Sequence, residues 1–307
     1  MLQEIKNGNV VQIEGILSSI NLNYKNFQNR KGENVNSIGG DITVKVDTVI
    51  DKKPTTLEIP VYMFASQYTN AGGINPAYES IERIKNDYVS IAASDIDKAD
   101  RIRINKAKIT MNEYYKNGKF YSFPRISASF VTKIKKDECK PEATFDVIFV
   151  IGEKTNEVDK DGVETGVYKV KGLVPQYGGK VDVVPFLATN ADVIEVAKNY
   201  WNEGDTVHAI GKLNFSSTTE TVEEPVDFGD PILRSKTISI SDLIITGGLK
   251  TPLEGEMAIP DSDVTAALAD RKERLAQLKA KDEAGPSATK KTVPVQQSTN
   301  KFAGLGF

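Results

Sequence analysis

Between residues 101 and 136 the chain carries ten Lys or Arg side chains against a single carboxylate, Glu113. The same stretch holds Tyr114, Tyr115, Phe120, Tyr121, Phe123 and Phe130. Cations interleaved with aromatic rings supply what an unpaired polynucleotide needs, positive charge for phosphates and flat faces for bases. The same composition also suits a solvated basic face over an aromatic core, and strand register decides between the two uses. Lys116-Asn117-Gly118-Lys119 sets that register, because a type I′ turn needs positive φ at both central residues and Asn-Gly accepts it. Cross-strand pairs then follow as Tyr115 with Phe120, Tyr114 with Tyr121, Asn112 with Phe123 and Thr110 with Arg125. Alternation sends Ala107, Ile109, Met111, Tyr115, Phe120, Ile126 and Ala128 to a core face. Lys108, Thr110, Asn112, Tyr114, Lys116, Lys119, Tyr121, Phe123 and Arg125 share the other, a set for which a core has no use.

Further up the same strand the inward phase slips by one residue, since Ile102 and Ile104 are even-numbered while Ile109 and Met111 are odd. A β-bulge at 105–107 accounts for the slip and brings Arg101 and Arg103 onto the cationic face. A second candidate wall is the segment 21–40, read as a loop, with Tyr24, Lys25, Phe27, Arg30 and Lys31 among Asn and Gly.

The elements that must position these residues are short β-rich segments. Residues 10–20, 41–50, 56–65, 101–115 and 119–134 read as strands. Between the third and fourth, Asn75-Pro76 opens a helix with Ile81, Ile84 and Tyr88 at helical spacing. The order repeats: strands at 144–152, 166–174 and 180–189, a helix at 191–201, then strands at 204–215 and 236–246. Five strands with a helix between the third and fourth is the topology of an OB-fold. The expected fold is therefore mostly β: two tandem OB-fold barrels, each β-β-β-α-β-β, followed by a C-terminal helix and a disordered tail. The boundaries are 1–136 for a first barrel carrying the basic aromatic groove, and 137–250 for a second, acidic one. Linker and exposed helix take 251–284, and a flexible tail with an apolar tip takes 285–307. The helix reads from an Asp261 or Ser262 cap to Gly285-Pro286, with Val264, Leu268, Leu275 and Leu278 as a narrow stripe interrupted by Arg271. Net charge separates the barrels, at +9 over 101–136 and −9 over 137–250. An acidic barrel repels phosphate, so the second is expected to contact protein or to extend the groove only briefly.

The duplicated element order, with the hairpin DRIRINKAKITMNEYYKNGKFYSFPRISASF and the segment GDTVHAIGKL, resembles the single-stranded DNA-binding proteins of tailed bacteriophages and, more distantly, the bacterial ones. The resemblance implies a cytoplasmic protein, in the host cell if viral, that coats single-stranded DNA during replication or recombination. Bacterial members end in an acidic tail whose terminal Phe docks on replication partners. Here Phe302, Leu305 and the terminal Phe307 supply apolar residues, but Lys301 and glycines stand where acids would be. A different docking motif for replication or transcription proteins is the expectation for this tip.

Other chemistries find no support. No run approaches the ~18 apolar residues of a membrane span, and MLQEIKNGNV lacks the features of a signal peptide. One cysteine, Cys139, forms no internal disulfide, and with one histidine, His208, it makes no Cys/His zinc site. No phosphate-binding GxxxxGK[ST] loop occurs. Asp159, Asp161 and Glu164 read as a hairpin turn, because a calcium loop needs further ligands. Neither a metal nor a cofactor is expected, and the chain reads as a binding protein with no catalytic function. The competing reading is an interaction protein, such as a virion component or polymerase accessory factor, whose outer rings bury against another chain. A nuclease built on dispersed carboxylates is the third.

Overall fold

The computed structural model describes residues 2, 5, 8–28, 32–50, 53–224, 228 and 232–284. The chain is mostly β, with eleven strands and three α-helices among these residues. In the first half, β1 (Asn9–Gln28), β2 (Asn34–Ile50) and β3 (Lys53–Ser66) precede α1 (Pro76–Asp87). Then follow β4 (Arg101–Lys116), β5 (Lys119–Ser127) and a short β6 (Thr132–Ile134). The second half runs β7 (Glu142–Val158), β8 (Glu164–Gln176), β9 (Lys180–Ala188), α2 (Ala191–Asn199), β10 (Thr206–Glu224) and β11 (Ile232–Gly248). A last helix, α3, spans Asp261–Glu283. Among the described residues no helix is long and apolar enough to cross a membrane.

Each half is a cycle of strand pairings. In the first, β1 pairs with β2, β2 with β3, β3 with β5, β5 with β4, and β4 returns to β1. In the second, β7, β8, β9, β11 and β10 follow the same order back to β7. The β3–β5 and β9–β11 pairings are parallel and the others antiparallel. The expected pair of separate barrels gives way to one continuous eleven-stranded sheet, because β1 also pairs antiparallel with β7, from Asn9 opposite Val147 to Glu14 opposite Glu142. Each half fills its cycle with alternate residues. Leu57, Ile59, Val61 and Met63 on β3, and Val147, Phe149 and Ile151 on β7, are fully or almost fully buried.

The expected bulge in β4 is there: Val11 faces Ala107 and Ile13 faces Ile104, so Asn105 and Lys106 together oppose Gln12. Two expected elements change shape. Residues 21–28 and 34–41 form a two-stranded arm rather than a loop, paired from Asn21 opposite Asp41 to Gln28 opposite Asn34. The expected strand 119–134 is two strands, β5 ending at Ser127 and β6 pairing with β4 at Arg101–Arg103. The expected Asp159 turn is a turn in fact, its carboxylate accepting from the Asp161 and Val163 amides.

Beyond Ala107, β4 loses β1 as a neighbour, and its free backbone groups need other partners. Asn9, from the start of β1, accepts from Ile109 N at 3.0 Å and donates to Ile109 O at 2.9 Å. Gln176 of β8 donates to the same carbonyl, and Asp182 of β9 accepts from Met111 N. The β4–β5 hairpin is thus fastened to the second half by side chains standing in for a missing strand.

Helix α3 completes the attachment. Its N-terminal part buries Val264 and Ala267 against Val150, Leu173 and Val181 of the second half. Arg271 and Arg274 then reach Glu113 on the inner side of β4, and Arg274 also approaches Asp182 at 3.7 Å. Farther along, Asp282 accepts from Gly118 N, in the hairpin turn, at 2.7 Å. The helix expected to be exposed is a strap across both halves. It starts at Asp261 after Pro260, with no side-chain cap. Arg271 continues the buried stripe that it was expected to interrupt, because a deeply placed carboxylate meets it.

Candidate nucleic-acid interface

The β4–β5 ribbon has the register that its turn dictates. Asn117 and Gly118 adopt φ of 54° and 75°, and the pairs run Lys116 opposite Lys119, Tyr114 opposite Tyr121, Asn112 opposite Phe123 and Thr110 opposite Arg125. On the outer side Tyr114 and Tyr121 stack at 5.2 Å and 16°, and Phe123 meets Tyr114 edge-on at 6.1 Å. Tyr121 and Phe123 remain 38% and 40% exposed. On the inner side Ala107, Ile109 and Ile126 are buried as expected, but Phe120 is exposed and packs against Tyr115 at 5.1 Å. The ribbon extends past the core it was expected to cover, so its last inner pair has only α3 and solvent to face.

The outer surface continues onto β3 and the β1–β2 arm. Inward alternation of Leu57, Ile59, Val61, Met63 and Ala65 turns Tyr62 and Phe64 outward. Phe64 packs on Phe27 of the arm at 6.0 Å. Its ring lies over Gly39, where an added Cβ would come within 2.8 Å of it, so the absence of a side chain seats the ring. The Arg125 guanidinium covers the Tyr62 ring at 4.2 Å, and its buried Nε has no hydrogen-bond partner. Lys25 is exposed on the arm, half-buried Lys108 lies farther along β4, and Lys116 and Lys119 flank the turn. One face therefore joins six rings to five cations. Tyr62 and Phe64 were missed in the sequence, although the strict odd-numbered apolar run of β3 already points both away from the core.

Several expected site residues are elsewhere. Arg101 is 8% exposed and donates to the Ile96 and Ala99 carbonyls. Arg103 pairs with the buried Glu14 carboxylate at 2.5 Å. Burial opposes ionisation of Glu14, but Arg103 and the Lys140 amide outweigh it and hold the group below its ordinary range. Strand β6 and the chain after it occupy this end of β4, so both arginines are engaged by the fold there. Tyr24 is on the opposite side of the arm from Phe27, donating to Glu82 of α1 with Lys85 over its ring. Arg30, Lys31, Phe302, Leu305 and Phe307 lie outside the described residues.

The second half supplies a wall. Strand β10 packs against β3, and buried Phe215 helps to close a cavity of about 410 Å³ against Asp41, Tyr62, Asn112, Phe123 and Arg125. Burial raises the Asp41 carboxyl above its ordinary range, with Arg125 and Lys25 pulling in the other direction. His208 contacts Asp146 at 2.7 Å on the outer side of the β7–β10 pair. No group of three or more His, Cys, Asp or Glu placed to hold a metal occurs among the described residues.

A family model described as YorF matches residues 7–281. No curated protein matches the chain in sequence. In structure the chain is similar to the wild-type single-stranded DNA-binding protein from Thermus aquaticus, at 13% identity and a TM-score of 0.46, covering 83% of this chain and 97% of that one. It is also similar to a deletion and substitution mutant of the same protein, at 12% identity and a TM-score of 0.47, covering 82% and 97%.

Proposed function

The chain belongs to the YorF family, and we propose that it binds single-stranded DNA across the outer face of its first half. Phe27, Phe64, Tyr114, Tyr121 and Phe123 stack bases, while Lys25, Lys108, Lys116, Lys119 and Arg125 neutralise phosphates. The observation that carries this reading is the concentration of half-exposed rings and cations on one continuous sheet face. Bases in a duplex keep their flat faces against one another, so rings presented this way suit an unpaired strand. In this reading each pairing cycle is an OB barrel, with the β4–β5 hairpin as one wall of the groove and the β1–β2 arm as the other. The role is non-catalytic, protecting exposed strands during DNA replication or recombination, in the cytoplasm of a host cell if the protein is a bacteriophage one.

Fluorescence anisotropy of labelled oligo-dT, against a duplex of equal length, tests this at 50 and 200 mM salt. Five phosphate contacts give a log-log slope of about −3.5, hence roughly a hundredfold loss over that range. A slope near zero, or equal affinity for duplex, overturns the proposal. Loss of a protein complex on Tyr121→Ala, with oligonucleotide affinity unchanged, would assign the rings to a protein interface instead.

A further inference from the structure

In the cavity between the halves, apolar walls and polar edges converge. Its floor is Tyr62 of β3 and Phe123 of β5, both on the outer face of the first half, and Phe215 of β10 closes it from the second half. At about 410 Å³ it falls within the ~300–1,000 Å³ range of small-ligand sites. Asp41 and Asn112 border the same space, and Arg125 holds its guanidinium against the Tyr62 ring with Nε unpartnered. A stacking platform has no need of a carboxylate, which repels the phosphates that the surrounding cations attract. Asp41 stands opposite Tyr62 in the β2–β3 register, within the binding face itself.

We propose that this cavity is a base-reading subsite that takes one guanine of the bound strand, its N1–H and N2–H donating to the Asp41 carboxylate. The inference rests on the single-strand reading above and names which base one position selects. An ionised carboxylate only accepts hydrogen bonds, and its two oxygens match two neighbouring donors. Guanine alone among the four bases presents two adjacent N–H groups on its Watson–Crick edge. Adenine, cytosine and thymine each set an acceptor beside a single donor, and that acceptor faces the carboxylate with like partial charge. The Asn112 amide supplies a donor for the guanine O6, and Tyr62, Phe123 and Phe215 supply apolar and π surface to the ring. Arg125 at the rim places positive charge where the flanking phosphate passes and offsets the charge of Asp41. The rest of the face, built from rings and flexible cations, accepts any base.

The full chain is titrated by anisotropy with dT12 and with twelve-residue strands carrying one dG, dA or dC at each position in turn. At one register dG binds roughly tenfold tighter than dT, as expected for one good bidentate contact. Inosine at that register, which keeps N1–H but lacks the N2 amino group, binds more weakly than dG, a result that does not depend on the folding of any variant. Asp41→Asn removes the guanine preference, so that this variant binds the dG strand and dT12 alike. A scan flat within twofold, with dT12 bound tightly, overturns the subsite and leaves the single-strand reading intact. Failure to bind every strand overturns both.

Discussion

Replacing Glu113 by Ala isolates the contact through which α3 fastens the β4–β5 hairpin. The Glu113 side chain is 4% exposed, and its partners Arg271 and Arg274 are 18% and 39% exposed. Removing the carboxylate strands Arg271, whose Nε already lacks an acceptor, in a site where water reaches poorly. Arg274 retains some solvent and the weaker attraction of Asp182. Loss of one partner of a buried pair costs ~3–5 kcal/mol, and the exposure of Arg274 sets the figure at the lower end, about 3 kcal/mol. Scaled at ~2–4 °C per kcal/mol for a chain somewhat smaller than this one, Tm falls by roughly 6–12 °C. Differential scanning calorimetry reads that fall, and amide hydrogen exchange reads the loss of protection at Gly118, whose N–H donates to Asp282. A paired variant, Glu113→Leu with Arg271→Met, recovers most of the loss, because apolar replacement of both partners leaves no buried charge. A shift under 1 °C, or a paired variant no better than the single one, refutes the reasoning.

Three further outcomes follow. Asn9→Ala leaves Ile109 N without an acceptor inside the junction, costing about 2 kcal/mol, measurable by urea unfolding. Glu14→Gln tests a pH window. The Glu14 carboxyl is depressed in the fold, so its contribution is present above its ordinary value of 4.5 and is lost as pH falls through the folded value. The variant therefore melts below the parent at pH 7, and the gap narrows in melts taken below about pH 4.5; a gap constant with pH contradicts this. Finally, Phe64→Ala and Tyr121→Ala each weaken oligo-dT binding by roughly five- to a hundredfold, as loss of one base stack requires. The Tm is expected to change little because both rings are exposed.

The hairpin was legible in the sequence because its determinants are local. Asn117-Gly118 fixes the turn, alternation fixes the faces, and the change of parity between Ile104 and Ile109 marks the bulge. The β1–β2 arm was not, since Asn21, Asn23, Asn26, Gln28, Asn34 and Asn36 give it no apolar periodicity. Beyond its pairing with β3, which ends at Ser37, the described residues of the arm are largely exposed on both sides, so no apolar alternation marks it. The intramolecular partners of Arg101 and Arg103 were not legible, because alternation specifies a face and not what covers it; the chain after β5 returns over that end of β4. The role of α3 depends on Glu113, 158 residues before Arg271. No local pattern couples two such positions.

The antiparallel β1–β7 junction relates the two halves by an approximate twofold rotation, and a polynucleotide has chemical direction. A strand crossing both halves along one path would meet equivalent elements 5′ to 3′ on one and 3′ to 5′ on the other. Two identical faces so arranged would compete to orient it. On the single-strand reading proposed above, concentrating positive charge in one half and negative charge in the other would remove that competition and leave a bound strand one direction in which to lie.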